Sequence, residues 1–223
     1  MDELVKHLEK KNNKTLQYML NAFIASMGVL VVAMLIFVMS FSLVHVCGNS
    51  MLPTLEHHSF GLSVRARRVS IDDIVIIRME GRMIGGRWVY SHNIKRVVAV
   101  GGDTVVFRRG EGDERDYVFL YLLDENNRFA REINRFEPIR QINGNMVGRY
   151  FTINIPQEVP FGEVMVLGDN RNQSRDSRND GFIPMERVAG RFVHDFEMNS
   201  FSERLVMFIF RESGNCTAPG CIG

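Results

Sequence analysis

Three short segments concentrate the groups able to make and break an acyl bond. Ser50 opens Ser50-Met51-Leu52-Pro53-Thr54-Leu55. Lys95 lies 45 residues on, inside Ile94-Lys95-Arg96-Val97-Val98-Ala99-Val100-Gly101-Gly102-Asp103. A third segment, Gly168-Asp169-Asn170-Arg171-Asn172-Gln173-Ser174-Arg175-Asp176-Ser177-Arg178, crowds polar and charged side chains together. Attack on a carbonyl requires a nucleophile, a base to take its proton, and hydrogen-bond donors for the oxyanion. Ser50 can supply the first. The six histidines (His7, His45, His57, His58, His92, His194) are scattered, and no Asp-His pair with a supporting local context accompanies the serine. They read as loop or surface residues, with His92 kept in view for its proximity to Lys95. His57-His58 is set aside as a metal site, because adjacent residues are expected to point apart and no third ligand is spaced to join them.

Lys95 is the better base. Ile94, Val97, Val98 and Val100 surround it with apolar, strand-forming residues, and a strand sends alternate side chains to opposite faces. If Lys95 points inward, desolvation disfavours its ammonium and lowers the pKa from about 10.4 toward the 7–8 range in which an amine acts as a base. A solvated strand lysine beside Arg96 is the plainer alternative. Arg171 and Arg175 read as members of a polar loop held by ion pairs. Asp176 and Arg178 admit the same structural reading while still being essential to the geometry of a site.

These groups must be placed by what surrounds them, and the first such element is a long apolar run. Residues 16–46 contain no Asp, Glu, Lys or Arg. About 20 apolar residues rising 1.5 Å each match a hydrocarbon core about 30 Å thick, whereas the apolar part of a cleaved signal peptide spans only about 7–15 residues. A retained transmembrane anchor over 16–46 is therefore expected, a buried core helix being the alternative. Lys6, Lys10, Lys11 and Lys14 precede the run and no Lys or Arg follows until Arg65. The positive-inside bias then predicts a cytoplasmic stub at 1–15, a single pass, and everything beyond the anchor on the extracytoplasmic side of the cell membrane, with Ser50 near the lipid surface.

After the anchor the sequence changes to short β-branched and aromatic runs separated by Gly, Asp and Asn, which predicts a mostly β domain over 47–212. Strands are expected at 74–77, 95–100, 104–107, 117–123, 150–155 and 164–167, with Gly101-Gly102-Asp103 as a tight turn. Residues 108–148 are polar and charge-dense, and read as a small cap or loop insertion too poor in apolar residues for its own core. The run 205–210 is too short to span a bilayer and reads as a last strand or a lipid contact, ahead of a tail at 213–223. Cys216 and Cys221 flank Thr217-Ala218-Pro219-Gly220, a turn that either brings the thiols into a disulfide or leaves both reduced in the tail. Cys47 reads as a small apolar residue at the membrane exit. With 223 residues, 45% of them hydrophobic, and a net charge of +1, the chain offers no polyanion-binding groove, and nucleic acid is excluded as a partner.

Taken together and in this order, the three segments resemble the signature blocks of bacterial type I signal peptidases. Similarity extends through Gly181-Phe182-Ile183-Pro184 to Val188-Ala189-Gly190-Arg191. The resemblance implies that Ser50 is the nucleophile and Lys95 the general base, that Ser174 orients the lysine, and that Asp176 and Arg178 support the site. It implies a membrane-bound serine endopeptidase acting on secretory preproteins with small residues at the first and third positions before the cut, with membrane lipid as its surroundings and no metal or organic cofactor. Two features depart from the family pattern. Gly48 stands where some members carry a serine that assists the oxyanion hole, leaving more of that task to the Ser50 backbone N–H with a contribution from Gly48. Glu56-His57-His58-Ser59-Phe60 replaces an expected Gly-Asp turn. A self-cleaving Ser-Lys regulator would share the dyad but would need a DNA-binding domain in place of the anchor. A catalytically inactive tethered module of the same fold would not need both Ser50 and Lys95.

Overall fold

The computed structural model describes residues 2–196 apart from 80, 85, 86, 90, 127, 134–137 and 141. The expectations for 205–210, for the tail and for Cys216 and Cys221 lie outside the described residues. The chain divides into two units, Met1–Ser42 and Leu43–Gly223.

The first unit is a helix, α1 (Asp2–Ser40). Its apolar part, Leu16–Ser40, has 25 residues with none of the side chains buried in protein, and at 1.5 Å per residue it is about 37 Å long, enough to cross a bilayer with some tilt. Apolar side chains on every side suit a helix surrounded by lipid rather than one with a single face on a protein core. The helix stops earlier than the apolar composition suggests. Phe41–His45 is a strand, β1, so residues 41–46 do not continue the anchor as a helix. Val46 is the reason on the domain side: it is buried with Met51, Leu55 and Phe192, and its backbone N–H and C=O pair with Ser59 O and His58 N, both at 2.9 Å. Apolar composition alone does not tell a lipid-facing residue from one that enters a protein core.

The second unit is built from strands in chain order: β2 (Phe60–Val64), β3 (Ile74–Arg78), a hairpin β4 (Arg82–Ile84) and β5 (Arg87–Val89), β6 (His92–Val100), β7 (Thr104–Arg109), β8 (Val118–Leu123), β9 (Phe129–Glu132), β10 (Ile142–Asn143), β11 (Met146–Val147), β12 (Phe151–Thr152), β13 (Gln157–Glu158), β14 (Glu163–Leu167), β15 (Ile183–Pro184) and β16 (Val188–Phe196), with one helical turn, α2 (Ser177–Asp180), between β14 and β15. The main sheet has seven strands in the order β1-β2-β16-β3-β6-β14-β15; a second, of four, runs β13-β7-β8-β9. In the main sheet β6 lies between β3 and β14, antiparallel to both. A central strand buried on both faces needs a near-continuous apolar sequence, which Val97, Val98 and Ala99 provide.

The segment 108–148 carries short strands and no core of its own. β8 pairs with β7 over its full length, and Val118, Leu120, Leu122, Ile133, Ile139 and Val147 share one core with Val98, Phe107, Phe151, Met165 and Leu167. These apolar residues are too few for a separate core and are spent on the common one. The expected strand at 150–155 shrinks to Phe151–Thr152, because Asn154 turns into the left-handed region (φ 65°). The turn at Gly101-Gly102-Asp103 forms as expected, closed by Val100 N–H donating to Asp103 Oδ2 at 2.8 Å.

Candidate active site

Ser50 sits in a tight turn between β1 and β2. Met51 and Leu55 hold that turn down: each is 2% exposed, packed with Val46 and Phe192, and burial of two such side chains stabilises the turn by roughly 1.5–3 kcal/mol apiece. The backbone closes it through Thr54 N and Leu55 N, which both donate to Met51 O. Gly48 enters the turn at φ 97°, a conformation that L-residues rarely adopt, so a serine could not stand at this position without strain.

Lys95 projects from the centre of β6, opposite Val75 of β3. It is 1% exposed and Ser50 is 4% exposed. Lys95 Nζ donates to Ser50 Oγ at 2.8 Å and to Ile94 O at 2.9 Å. Burial lowers the Lys95 pKa from its ordinary 10.5 to about 8; Asp176, Asp180 and Asp169 pull it back up in part, and Arg178 adds to the depression. At neutral to mildly alkaline pH a substantial fraction of the amine is therefore neutral, with Nζ 2.8 Å from the hydroxyl oxygen whose proton it can accept. A nucleophile and a base in that relation can carry out acyl transfer. His92 lies at the exposed start of β6, opposite Arg78, and takes no part in the hydrogen bonds of Ser50 or Lys95.

The third segment wraps the pair. Asp176 and Arg178 form a two-pronged ion pair, Nε to Oδ1 and Nη2 to Oδ2, both 2.8 Å, with both side chains out of solvent. Asp176 also caps α2 by accepting from Arg178 N at 3.2 Å and reaches back to accept from Gly168 N at 3.0 Å. Burial alone would raise its pKa. The charge and hydrogen bonds of Arg178, with the Gly168 N–H, more than offset this and hold the carboxyl below its usual range. Arg178 O in turn accepts from Arg149 N at 2.7 Å, tying the segment to the turn after β11.

Ser174 departs from its expected place. The two donations from Lys95 Nζ go to Ser50 and Ile94, while the buried Ser174 Oγ lies beside Asp176 and helps to hold that carboxyl in its charged form. Ser174 packs directly on Gly168: a Cβ at residue 168 would run into Ser174 Oγ and lie 2.6 Å from Ser50 O. Gly168 thus lets the third segment close over the nucleophile. Gly168→Ala is expected to destabilise the fold by about 1–3 kcal/mol through overpacking, visible as a lower midpoint in chemical denaturation followed by tryptophan or tyrosine fluorescence.

Several residues with no role in the sequence reading join the site. Asn170 N donates to Ser50 O at 3.0 Å and Asn170 Nδ2 to Asn49 O at 3.1 Å, fixing the backbone on either side of the hydroxyl. Arg96 is not a solvated neighbour of Lys95 but a buried strut. Its Nε and Nη2 donate to the two oxygens of Asp169 at 2.8 and 2.7 Å, and its Nη1 donates to Asp72 O at 2.9 Å. Ser177 Oγ accepts from Val166 N at 3.0 Å. All lie in the quoted segments, but their type and spacing alone did not separate them from loop polar groups.

Arg175 forms the expected ion pair, with Asp180 at 2.7 Å. Arg171 does not. It is 2% exposed, donates Nη2 to Ile133 O at 3.1 Å, and makes no ion pair among the described residues. Burial first, and then Arg178, lower its pKa to about 10.

The histidine pair is a further correction. The His57 and His58 rings lie against each other, with centroids 3.7 Å apart, because His58 takes a left-handed backbone conformation (φ 68°) that folds its side chain back. A third and a fourth group come from β1 and the residues after it: His45 Nε2 is 3.1 Å from His58 Nδ1, and Cys47 Sγ is 3.6 Å from His45 Nδ1. Sequence distance concealed the contact, since residues 45–47 and 57–58 meet only through the backbone pairing of Val46 with His58 and Ser59.

A buried amine on a central β-strand, bonded to a serine hydroxyl and enclosed by an ionic segment, defines a site of the Ser-Lys hydrolase kind. The family described as signal peptidase, peptidase S26, matches residues 19–196, and the chain belongs to it. Thylakoidal processing peptidase 1 of Arabidopsis thaliana is 34% identical over 156 residues, covering 65% of this chain and 38% of that protein. Probable signal peptidase I-1 of Synechocystis is 28% identical over 186 residues, covering 74% of this chain and 76% of that protein. The chain thus spans well under half the length of the first relative and about three quarters of the second. A crystal structure of a signal peptidase I from Enterococcus faecalis aligns at 22% identity with a TM-score of 0.30, covering 57% of this chain and 98% of that one.

Proposed function

We propose that this chain is a membrane-anchored endopeptidase that removes N-terminal signal peptides from exported preproteins through Ser50 and Lys95. The observation that carries the reading is the 2.8 Å contact between a buried lysine amine, with its pKa lowered to about 8, and the serine hydroxyl. Neutral Lys95 takes the Ser50 proton as Oγ attacks the scissile carbonyl. The tetrahedral oxyanion is held by the Ser50 backbone N–H, since the Gly48 N–H is given to His57 Nδ1 at 2.8 Å. The Lys95 ammonium then protonates the departing amine, leaving an acyl ester on Ser50 and a neutral amine again. The amine next takes a proton from water, the hydroxide attacks the ester, and Lys95 returns the proton to Ser50 Oγ as the signal peptide leaves. Asp176, Arg178 and Ser174 support the geometry in which these transfers occur.

The substrate is an extended segment with small residues at the first and third positions before the cut. Leu16–Ser40 is long and apolar enough to cross a membrane, which tethers the chain to the bilayer in which such substrates reside. The test is to incubate the detergent-solubilised protein with a preprotein and map the product by mass spectrometry. A single cut after a small residue at the signal-peptide boundary is expected. No cut, or cuts scattered through the mature region, would refute the reading. On the alkaline side kcat/KM should rise with pH through about 8, the value for Lys95, because the base must be neutral to act; a profile flat between pH 6 and 10 would show that another group is the base.

For topology we propose residues 1–15 in the cytoplasm and the β domain outside, since Lys6, Lys10, Lys11 and Lys14 flank only one end of the apolar run. An epitope inserted within 108–148 is expected to be lost when protease is added to intact spheroplasts. Its protection there, with digestion only after lysis, would reverse the orientation.

A further inference from the structure

The peptidase reading leaves one cluster of side chains unused. His45, Cys47 and His58 each offer a ligand atom, and the three atoms lie within 4.8 Å of one another. His45 occupies the middle, with Cys47 Sγ 3.6 Å from Nδ1 and His58 Nδ1 3.1 Å from Nε2. Its ring is held in place: it stacks on Phe60 with centroids 4.5 Å apart, and Phe60 is a core residue, 2% exposed. The backbone fixes the rest. Val46 N donates to Ser59 O and His58 N to Val46 O, both at 2.9 Å, so the two sides of the cluster are fastened across one short ladder. His45 and Cys47 are half-buried and His58 is exposed, which leaves the group open to an ion from solution.

We propose that His45, Cys47 and His58 form a binding site for a thiophilic divalent cation of the Zn²⁺ type, with water or His57 in the fourth position. Two imidazoles and a thiolate are the ligands a borderline-soft ion selects over Mg²⁺ or Ca²⁺. Tetrahedral coordination with metal–sulfur and metal–nitrogen distances of about 2.3 and 2.0–2.1 Å places ligand atoms about 3.3–3.6 Å apart; one ion can use only one His45 nitrogen, and Nδ1 faces Cys47 while Nε2 faces His58, so the side chains must turn to bring atoms now within 4.8 Å of one another onto one ion. Binding replaces the Cys47 thiol proton with the metal and releases it to solvent, leaving both histidines neutral. The ion would clamp the chain three residues before Ser50. His57 lies beside it, with Nδ1 accepting from Gly48 N at 2.8 Å, so the clamp adjoins the backbone that leads into the nucleophile. The proposal does not rest on the peptidase reading, since its readout is metal binding.

The test uses the full chain in detergent with Cys216 and Cys221 replaced by serine, so that tail thiols cannot bind the ion. Zn²⁺ titrated calorimetrically should bind at one equivalent, and Co²⁺ should give the thiolate charge-transfer absorption of a sulfur ligand. Cys47→Ser should abolish that absorption, and Cys47→Ser and His58→Ala should each weaken Zn²⁺ binding at least 10-fold, while Mg²⁺ should not compete. Equal binding in the triple variant His45→Ala/Cys47→Ser/His58→Ala, or no binding in the parent, overturns the site. A second readout needs no change to the ligands: Zn²⁺ should slow alkylation of Cys47 by iodoacetamide at least 10-fold, reversed by chelator, and an unchanged rate overturns the proposal.

Discussion

Lys95→Arg is expected to abolish preprotein cleavage even though it keeps a positive charge at the site. A guanidinium stays protonated through the whole working range and cannot take the Ser50 proton. Lys95→Ala and Ser50→Ala should be equally inactive, each losing roughly 10⁴-fold or more in kcat, and the double variant should be little worse than either, because groups that act as one unit are not additive. Stability should move the other way. The folded-state pKa of Lys95 is depressed to about 8 from 10.5, so the unfolded chain binds this proton more tightly, and folding is opposed as pH falls from above 10.5 through 8. A shift of that size corresponds to about 3 kcal/mol of disfavoured charging at pH 7. Lys95→Met, which fills a similar volume without a charge, is therefore expected to unfold at a higher denaturant concentration than the wild type at pH 7, with the gain vanishing above pH 10. Processing by Lys95→Arg, or a Lys95→Met variant less stable than wild type at pH 7, would make Lys95 a structural residue and remove the base from the mechanism.

What the sequence disclosed of this site follows from what kind of signal each residue carries. Lys95 was only half readable: Ile94, Val97 and Val98 allowed an inward-pointing strand lysine as well as a solvated one, the family resemblance favoured the first, and β6 places the side chain in the core. Strand positions at β3, β7, β8 and β14 were readable, β-branched and aromatic runs being their own evidence. The paired strands β2 and β16 carried weaker patterns: Gly61 and Gly190 interrupt them, and each lies where the neighbouring strand comes too close for a side chain. The end of the helix at Ser40 was hidden because Val44 and Val46 suit a protein core as well as a lipid interior. Contacts that join distant segments were least legible. Asp169 with Arg96, Asn170 with Ser50, and His45 with His58 depend on strand order and turn geometry, which residue types do not specify. The resemblance to a known family brought Ser50 and Lys95 together before any contact was seen, and it assigned Ser174 to the lysine, whose two donations here go to Ser50 and Ile94.

Removing one partner of the buried Asp176–Arg178 pair is expected to damage the fold more than removing both. The two side chains are almost wholly out of solvent, 0% and 2% exposed, so Arg178→Met strands a carboxylate that still accepts from Gly168 N and Arg178's own backbone position but has lost its countercharge. Breaking a buried pair in this way costs about 3–5 kcal/mol, whereas replacing both partners by apolar residues of similar volume is often close to neutral. Asp176→Asn should fall between, since the amide keeps an acceptor but leaves the charged guanidinium without its counter-ion. The pH dependence follows from the direction of the Asp176 shift: its folded-state pKa is lowered, so the stabilisation is fully present above about pH 4, the ordinary carboxyl value, and is lost as pH falls through the folded value. Because Asp176 also raises the Lys95 pKa, the Asp176→Leu/Arg178→Met double variant should retain its fold yet shift the alkaline limb of the cleavage profile, while the single variants lose both fold and activity. Denaturant midpoints at pH 7 and pH 3 for the four proteins, with kcat/KM against pH for those that fold, measure each arm. Single variants as stable as wild type would show that the pair is not what seats the third segment over Ser50.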